Sequence, residues 1–196
     1  MSSPTSDEST PQFDTELWHK LCEFRVDPPG AALPFLARLA REQHGWTLED
    51  AKGAWFEYLR FLYLTRRSGR EVTPSNEVDA VWHLHLVYTR SYWNELCPNV
   101  LGGPLHHGPT LGGASEAARY LEQYESTLAA YRLHFGEAPP KRFWPPSVIR
   151  FRQKFETHDR LETVALPRRA LLGAVVGAAL VVAAAAIAWL TARTTA

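Results

Sequence analysis

Cysteine is scarce in this chain. Cys22 and Cys97 are the two in 196 residues, and neither sits in a CxxC or a cysteine-rich zinc pattern. A disulfide scaffold is thereby excluded. An excess of charge of one sign is also missing. Lys and Arg number 21 and Asp and Glu number 21, so no overall basic field draws nucleic acid, and none is expected as a partner. The sequence contains no HExxH, P-loop, dinucleotide fingerprint or nucleophile elbow. A CxxCH haem attachment is absent too, which sets a haem or redox site below the alternatives. Alternation of the strand type does not stand out, nor does a repeat.

What is present is apolar and aromatic. The AVILMFWYC fraction is 45%, with seven tryptophans and nine phenylalanines, enough to build a core. Residues 1–12, MSSPTSDESTPQ, lack the basic start and apolar stretch of a signal peptide and read as a disordered leader. Residues 170–192 carry no charged side chain. A helix of that length reaches roughly 35 Å, enough to cross a hydrocarbon core of about 30 Å. Arg168 and Arg169 precede the run and only Arg193 follows it, so the positive-inside rule puts the N-terminal domain in the cytoplasm. The expectation is a single-pass tail anchor in a bacterial-type inner membrane. It has a basic linker at 164–169, a tail at 193–196 and the lipid bilayer as partner. Gly173 and Gly177 form GxxxG within the run, a pattern that supports a homodimer.

Between leader and anchor, residues 13–163 read as an all-α domain, an irregular bundle of about six helices. Apolar spacing predicts helices over 13–26 and 33–44, the second with Gly45 as C-cap. Thr47 and Asp50 open a third helix that runs to Arg67. A long fourth helix is expected over 77–97, ended by Pro98, buried on most of its circumference and central to the bundle. A fifth covers 114–135, and Ser147 caps a sixth over 148–163. Arg66, Arg67 and Arg70 read as a solvated helix end. Arg150, Arg152 and Lys154 lie near enough to the anchor to meet anionic headgroups. Gly112 and Gly113 precede a helix start that accepts an anion only weakly by pattern. Tyr120, Tyr124 and Tyr131 read as packing residues.

Residues 78–113 are the densest in chemistry, with His83, His85, His106, His107 and Cys97. Helical residues rotate by about 100° each, so Asp79 and His83, four apart, share a stripe, and Cys97 falls near it. His85 turns to another side with Val78, Val81, Tyr92 and Leu96, and reads as a core histidine bonded to a carbonyl or tyrosine. The exposed strip is expected at Glu77, Leu84, Ser91 and Glu95. Carboxylate and imidazole at i and i+4 face one ion in helical zinc motifs, and the glycine-rich loop 99–113 is able to bring His106 or His107 as further ligands. Cys97 and Glu57 are lesser candidates. The same Asp–His pair also serves as a hydrogen-bonded pair that satisfies a half-buried imidazole. Two functions therefore stay open: a binding or scaffold module at the cytoplasmic membrane face with an unnamed protein partner, or a metal-dependent enzyme using Asp79, His83, His106 and His107 with a divalent ion such as zinc.

The residues Val78-Asp79-Ala80-Val81-Trp82-His83-Leu84-His85-Leu86, then Tyr92, Cys97 and His106-His107, resemble the glycine-rich domain-containing protein-like family of plants, fungi and bacteria. Tyr58-Leu59-Arg60-Phe61-Leu62, Pro74-Ser75, the LHHGPT loop with its following glycines, Phe135-Gly136-Glu137 and Trp144-Pro145-Pro146 extend the likeness over residues 35–150. The resemblance brings no enzymatic activity with it. It implies that Trp82, His85, Tyr92 and Cys97 are a structural signature. Some plant members add glycine-rich and RNA-binding segments, whereas this chain ends in the apolar run.

Overall fold

A computed structural model describes residues 12–110 and 112–151. The chain divides into units Met1–Gln153 and Lys154–Ala196, and everything described lies in the first. Among the described residues there are six α-helices, one π-helix and no strand. The apolar run 170–192, the linker 164–169, Gly173 and Gly177 lie outside the described residues, as does nearly all of the leader. Among the described residues, no helix is long and apolar enough to cross a membrane.

α1 (Thr15–Glu23) starts where the Asp14 side chain accepts the Leu17 N–H at 2.9 Å. It is shorter than its apolar spacing predicts. The Arg25 guanidinium takes up the Cys22 and Phe24 carbonyls at 2.7 and 2.8 Å, which closes the helix before Val26. α2 (Phe35–Glu42) begins at Pro34, which has no side chain able to cap; Asp27 does so from upstream, accepting the Phe35 N–H at 2.6 Å. The C-cap is Gln43, not Gly45, which instead takes a left-handed turn two residues on, with φ 80°.

α3 (Leu48–Arg67) is the hub, and this corrects the expectation that the fourth helix is central. It packs against α1 and α2, and against α4 (Asn76–Val87) and α5 (Ala114–Phe135). Its capping box forms as expected: Thr47 accepts from Asp50 N–H, and the Asp50 carboxylate accepts from Thr47 N–H. Gly53, mid-helix, has a packing reason. A Cβ there would stand 2.5 Å from the ring end of Phe143, so its absence lets the segment after α5 lie against the helix.

The predicted fourth helix is two helices. α4 starts at the Ser75 cap, whose hydroxyl accepts from Val78 N–H, and stops at Tyr88, where ψ reaches 60°. A π-helix follows at Ser91–Val100 and carries Pro98 inside it rather than ending before it. Pro98 has no N–H to give, and the Asn94 carbonyl that an α-helical residue 98 would bond instead meets the Asn99 side chain at 3.4 Å. The Leu101 N–H reaches back five residues to Leu96 at 2.9 Å, the wide spacing that defines this helix.

α5 keeps its predicted bounds and ends at Gly136, whose φ of 68° is the left-handed C-cap that glycine adopts freely. In α6 (Ser147–Arg150) the cap is Pro146, and Ser147 is the first helical residue, buried. The rest of the predicted helix 148–163 lies outside the described residues beyond Phe151.

Candidate functional site

Asp79 and His83 occupy successive turns of α4 and face the same side. Asp79 Oδ2 and His83 Nε2 are 3.7 Å apart. His107 arrives from the loop and sets its Nε2 2.8 Å from Asp79 Oδ1. The two imidazole rings lie 4.5 Å apart at 51°. One ligand atom from each of the three residues falls within 4.8 Å of the others. Trp82 walls one side, its ring centroid 4.4 Å from that of His107. The other side is open: the His83 side chain is 58% exposed, against 30% for Asp79 and 21% for His107.

The loop 101–110 is irregular but tied down. Arg66 Nη2 donates to the Gly103 and Pro104 carbonyls at 2.6 and 3.1 Å, and the Tyr92 hydroxyl donates to the Leu105 carbonyl at 2.5 Å. The Gly103 N–H closes back on the Cys97 carbonyl at 2.9 Å. Arg66 is thus a loop clamp and not a solvated helix end, while Arg67 pairs with Asp14 at 3.6 Å. From Gly102 to Gly108 exposure alternates, with Gly103, Leu105 and His107 turned inward and Pro104, His106 and Gly108 outward. An extended chain presents successive side chains to opposite faces, so two adjacent histidines do not reach one point. His107 joins Asp79; His106 turns out and packs on Trp93, with ring centroids 5.3 Å apart.

The remaining motif residues are core. His85 is fully buried, with Nδ1 3.1 Å from the Tyr58 hydroxyl and Nε2 3.3 Å from Ser91 Oγ. A neutral imidazole has one donor and one acceptor, and two hydroxyls satisfy either tautomer. Burial pulls the His85 imidazole down from 6.5 to about 3, so it stays neutral. The Tyr92 hydroxyl, which burial pushes up, accepts from Trp82 Nε1 at 2.9 Å while it holds the loop. Cys97 is 3% exposed, and belongs to the core rather than to the Asp79 stripe. Leu84 and Ser91, expected on the surface, are buried at 7% and 6%. For Ser91 the wheel fails because it runs one α-helix through Tyr88 and into a π-helix, whereas Leu84 stands in regular α4 and is covered by its neighbours in the core. Arg150 donates to the Pro74 carbonyl at 2.7 Å and stacks over Tyr124 and Phe151, which draws it inward.

A second polar cluster lies elsewhere. Glu57, weighed as a ligand for the same ion, is buried in α3 and its Oε2 accepts from Trp144 Nε1 at 2.9 Å and from the Tyr131 hydroxyl at 3.0 Å. Arg60 stands 3.5 Å from its other oxygen, bonds the Tyr131 hydroxyl and pairs with Glu137 at 2.7 Å. Burial pushes the Glu57 carboxyl up; the Trp144 N–H, the Arg60 charge and the Tyr131 hydroxyl pull against it. A carboxylate on the apolar stripe of α3, beside Ala54, Phe61 and Leu64, is the signal in the sequence for this cluster.

In chemical terms the open cluster brings two imidazole nitrogens and a carboxylate oxygen to one point with solvent on one side. Residues 33–123, which contain it, match the model of the UCP032817-like family. A 97-residue part of the chain is 26% identical to the protein called Glycine-rich domain-containing protein 2 of Arabidopsis thaliana. That match covers 47% of this chain and 12% of the relative's length. No solved structure matches the chain. Together the two matches support a glycine-rich domain-containing-like family, and the family match ends before the apolar run.

Proposed function

We propose that the protein is a binding module held at the cytoplasmic face of a membrane by residues 170–192, and that loop 101–110 is the surface it presents to a protein partner there. The observation that carries this is the clamping of the loop. Four hydrogen bonds, from Arg66, Tyr92 and the Gly103 N–H, hold an irregular segment in one shape. A long irregular loop fixed on a rigid helical frame is how binding surfaces are commonly built. The anchor rests on the uncharged run and the arginines before it.

Two measurements on the full-length chain test this. Carbonate-resistant recovery in the membrane fraction is expected, and recovery in the supernatant sinks the anchor. A photo-crosslinker at exposed His106 or Pro109 is expected to give a discrete adduct in cells, with none from exposed Glu125 on α5. Equal labelling from all three positions removes the loop as the binding face.

The convergence of Asp79, His83 and His107 favours a second reading, a metal-dependent enzyme in which a bound ion activates water at its open side. Turnover of a hydrolysable substrate that vanishes on chelation would support it.

A further inference from the structure

We propose that Asp79, His83 and His107 form a site for one divalent transition metal of the zinc class, and that the ion fastens loop 101–110 to α4. The site deepens the metal-dependent reading and rests on it for the ion alone, not for turnover.

Three features of the geometry point this way. Both imidazoles aim the same atom, Nε2, at the two oxygens of one carboxylate, at 2.8 and 3.7 Å. A hydrogen-bonded pair that only satisfies His107 needs one imidazole, and a second ring 4.5 Å away adds nothing to that task. The spacing is also close to a metal's. Bonds of about 2.05 Å at tetrahedral angles put ligand atoms roughly 3.3 Å apart. The observed 2.8 Å to Asp79 Oδ1 and 3.7 Å to Asp79 Oδ2 fall either side of that value, and a set with one atom from each residue, spread over no more than 4.8 Å, closes by a rotamer adjustment of about 1.5 Å or less. The donors then select the ion. Two imidazole nitrogens and a carboxylate suit zinc and its neighbours, whereas magnesium and calcium ask for oxygen.

The connectivity gives the ion its role. Two ligands are four residues apart on α4, and the third stands on the loop, 24 residues beyond His83. An ion bound by all three joins loop to helix at the loop's outer end, beyond the clamps at Gly103, Pro104 and Leu105. His83 lies toward solvent, which leaves a coordination position for water or for a side chain of a partner.

The test uses the full-length protein in detergent, stripped of metal. It is titrated with Co(II) by visible absorption and then with Zn(II) in competition. One equivalent per chain is expected. His83→Ala, His107→Ala and Asp79→Asn are each expected to weaken Co(II) by roughly 100-fold or more, and His106→Ala by less than about 3-fold. The neighbouring histidines make the control strict, because a nonspecific histidine tract treats them alike. Melting of every variant, and His83→Gln beside His83→Ala, separates a lost ligand from a lost fold. Binding below half an equivalent, or equal losses from His106→Ala and His107→Ala, overturns the site. The latch is read by proteolysis: Zn(II) is expected to slow cleavage within 101–113 by about tenfold in the wild type and not at all in His107→Ala. Unchanged cleavage on saturation overturns the latch. A saturated protein that turns over nothing leaves the site standing and removes only the enzyme reading.

Discussion

Glu57 and Asp79 are carboxylates on packed neighbouring helices, α3 and α4, and they are held in opposite ways. Glu57 is 4% exposed and meets two neutral donors and one arginine, all fixed by packing. Asp79 is 30% exposed and meets two histidines, one of them on a loop. In the first arrangement both carboxylate oxygens have fixed protein partners, and only Arg60, whose buried Nε has no partner among the described residues, links the cluster outward to exposed Glu137. The second leaves an open side and groups that exchange protons or take a metal. What separates a structural polar cluster from a candidate site in this fold is therefore the status of the partners, not the presence of charge. The sharpest break of that comparison is Glu57→Ala. It strips the buried acceptor from Trp144 Nε1 and Tyr131 and leaves Arg60 with Glu137 as its one carboxylate partner beside the Tyr131 hydroxyl, so a loss of about 3–5 kcal/mol is expected in denaturant melts. A loss under about 1 kcal/mol would mean that water replaces the carboxylate and that the cluster is less dry than its geometry.

The histidines repeat the contrast. His85→Ala opens a cavity and orphans two hydroxyls, and is expected to cost about 2–4 kcal/mol at pH 8. The pH dependence sharpens it. The folded His85 titrates near 3 and the unfolded one at 6.5, so between those values the unfolded chain binds the extra proton. Acidification below 6.5 therefore destabilises the wild type, at about 1.4 kcal/mol per pH unit, and the gap to His85→Ala narrows by that slope. The comparison with the variant is needed because other groups move as well. His134, also lowered by burial, has the same sign. Glu57 has the opposite sign: its raised carboxyl keeps a proton in the fold that the unfolded chain has released, so its share of stability falls as pH climbs past the ordinary carboxylate range. A gap independent of pH would show that His85 is protonated in the fold.

Local signals carried most of the helices. The capping box of α3 and the glycine after α5 fix those ends because they act within one turn, and both ends stand where the sequence predicts them. The pattern that predicts one helix over 77–97 departs from the structure beyond Val87, where the π-helix sets Tyr92 and Leu96 into the core. The candidate site divides the same way. Asp79 with His83 is readable from spacing alone. That His107 and not His106 completes the group depends on the clamps of Arg66 and Tyr92 on the loop, contacts 13 to 38 residues apart in sequence, and on the alternating exposure from Gly102 to Gly108. Glu57 is weighed in the sequence only as a lesser ligand, because the partners that make it structural, Tyr131 and Trp144, lie 74 and 87 residues away. Arg66→Ala tests that long-range setting. It frees the Gly103 and Pro104 carbonyls to water at a half-exposed position, and about 1 kcal/mol is expected, together with faster cleavage in the loop. Unchanged cleavage would leave Tyr92 as the clamp that matters.

Asp79→Asn carries the smallest expected effect on stability and the most information. The substitution keeps the shape of the side chain and its capacity to accept one hydrogen bond from His107, and it takes the charge from a position 30% exposed. Solvent screens such a pair, and its first-turn place on α4 adds only a modest interaction with the helix dipole, so the loss is expected to stay under about 1 kcal/mol in the absence of metal. With saturating Zn(II) the wild type is expected to gain stability in proportion to the logarithm of ion concentration, while Asp79→Asn gains little. The difference between the two proteins therefore grows with metal, which a purely structural pair does not do. If the two melt alike at every zinc concentration, Asp79 belongs with Glu57 as a structural carboxylate, and the comparison between the two regions collapses into one of exposure alone.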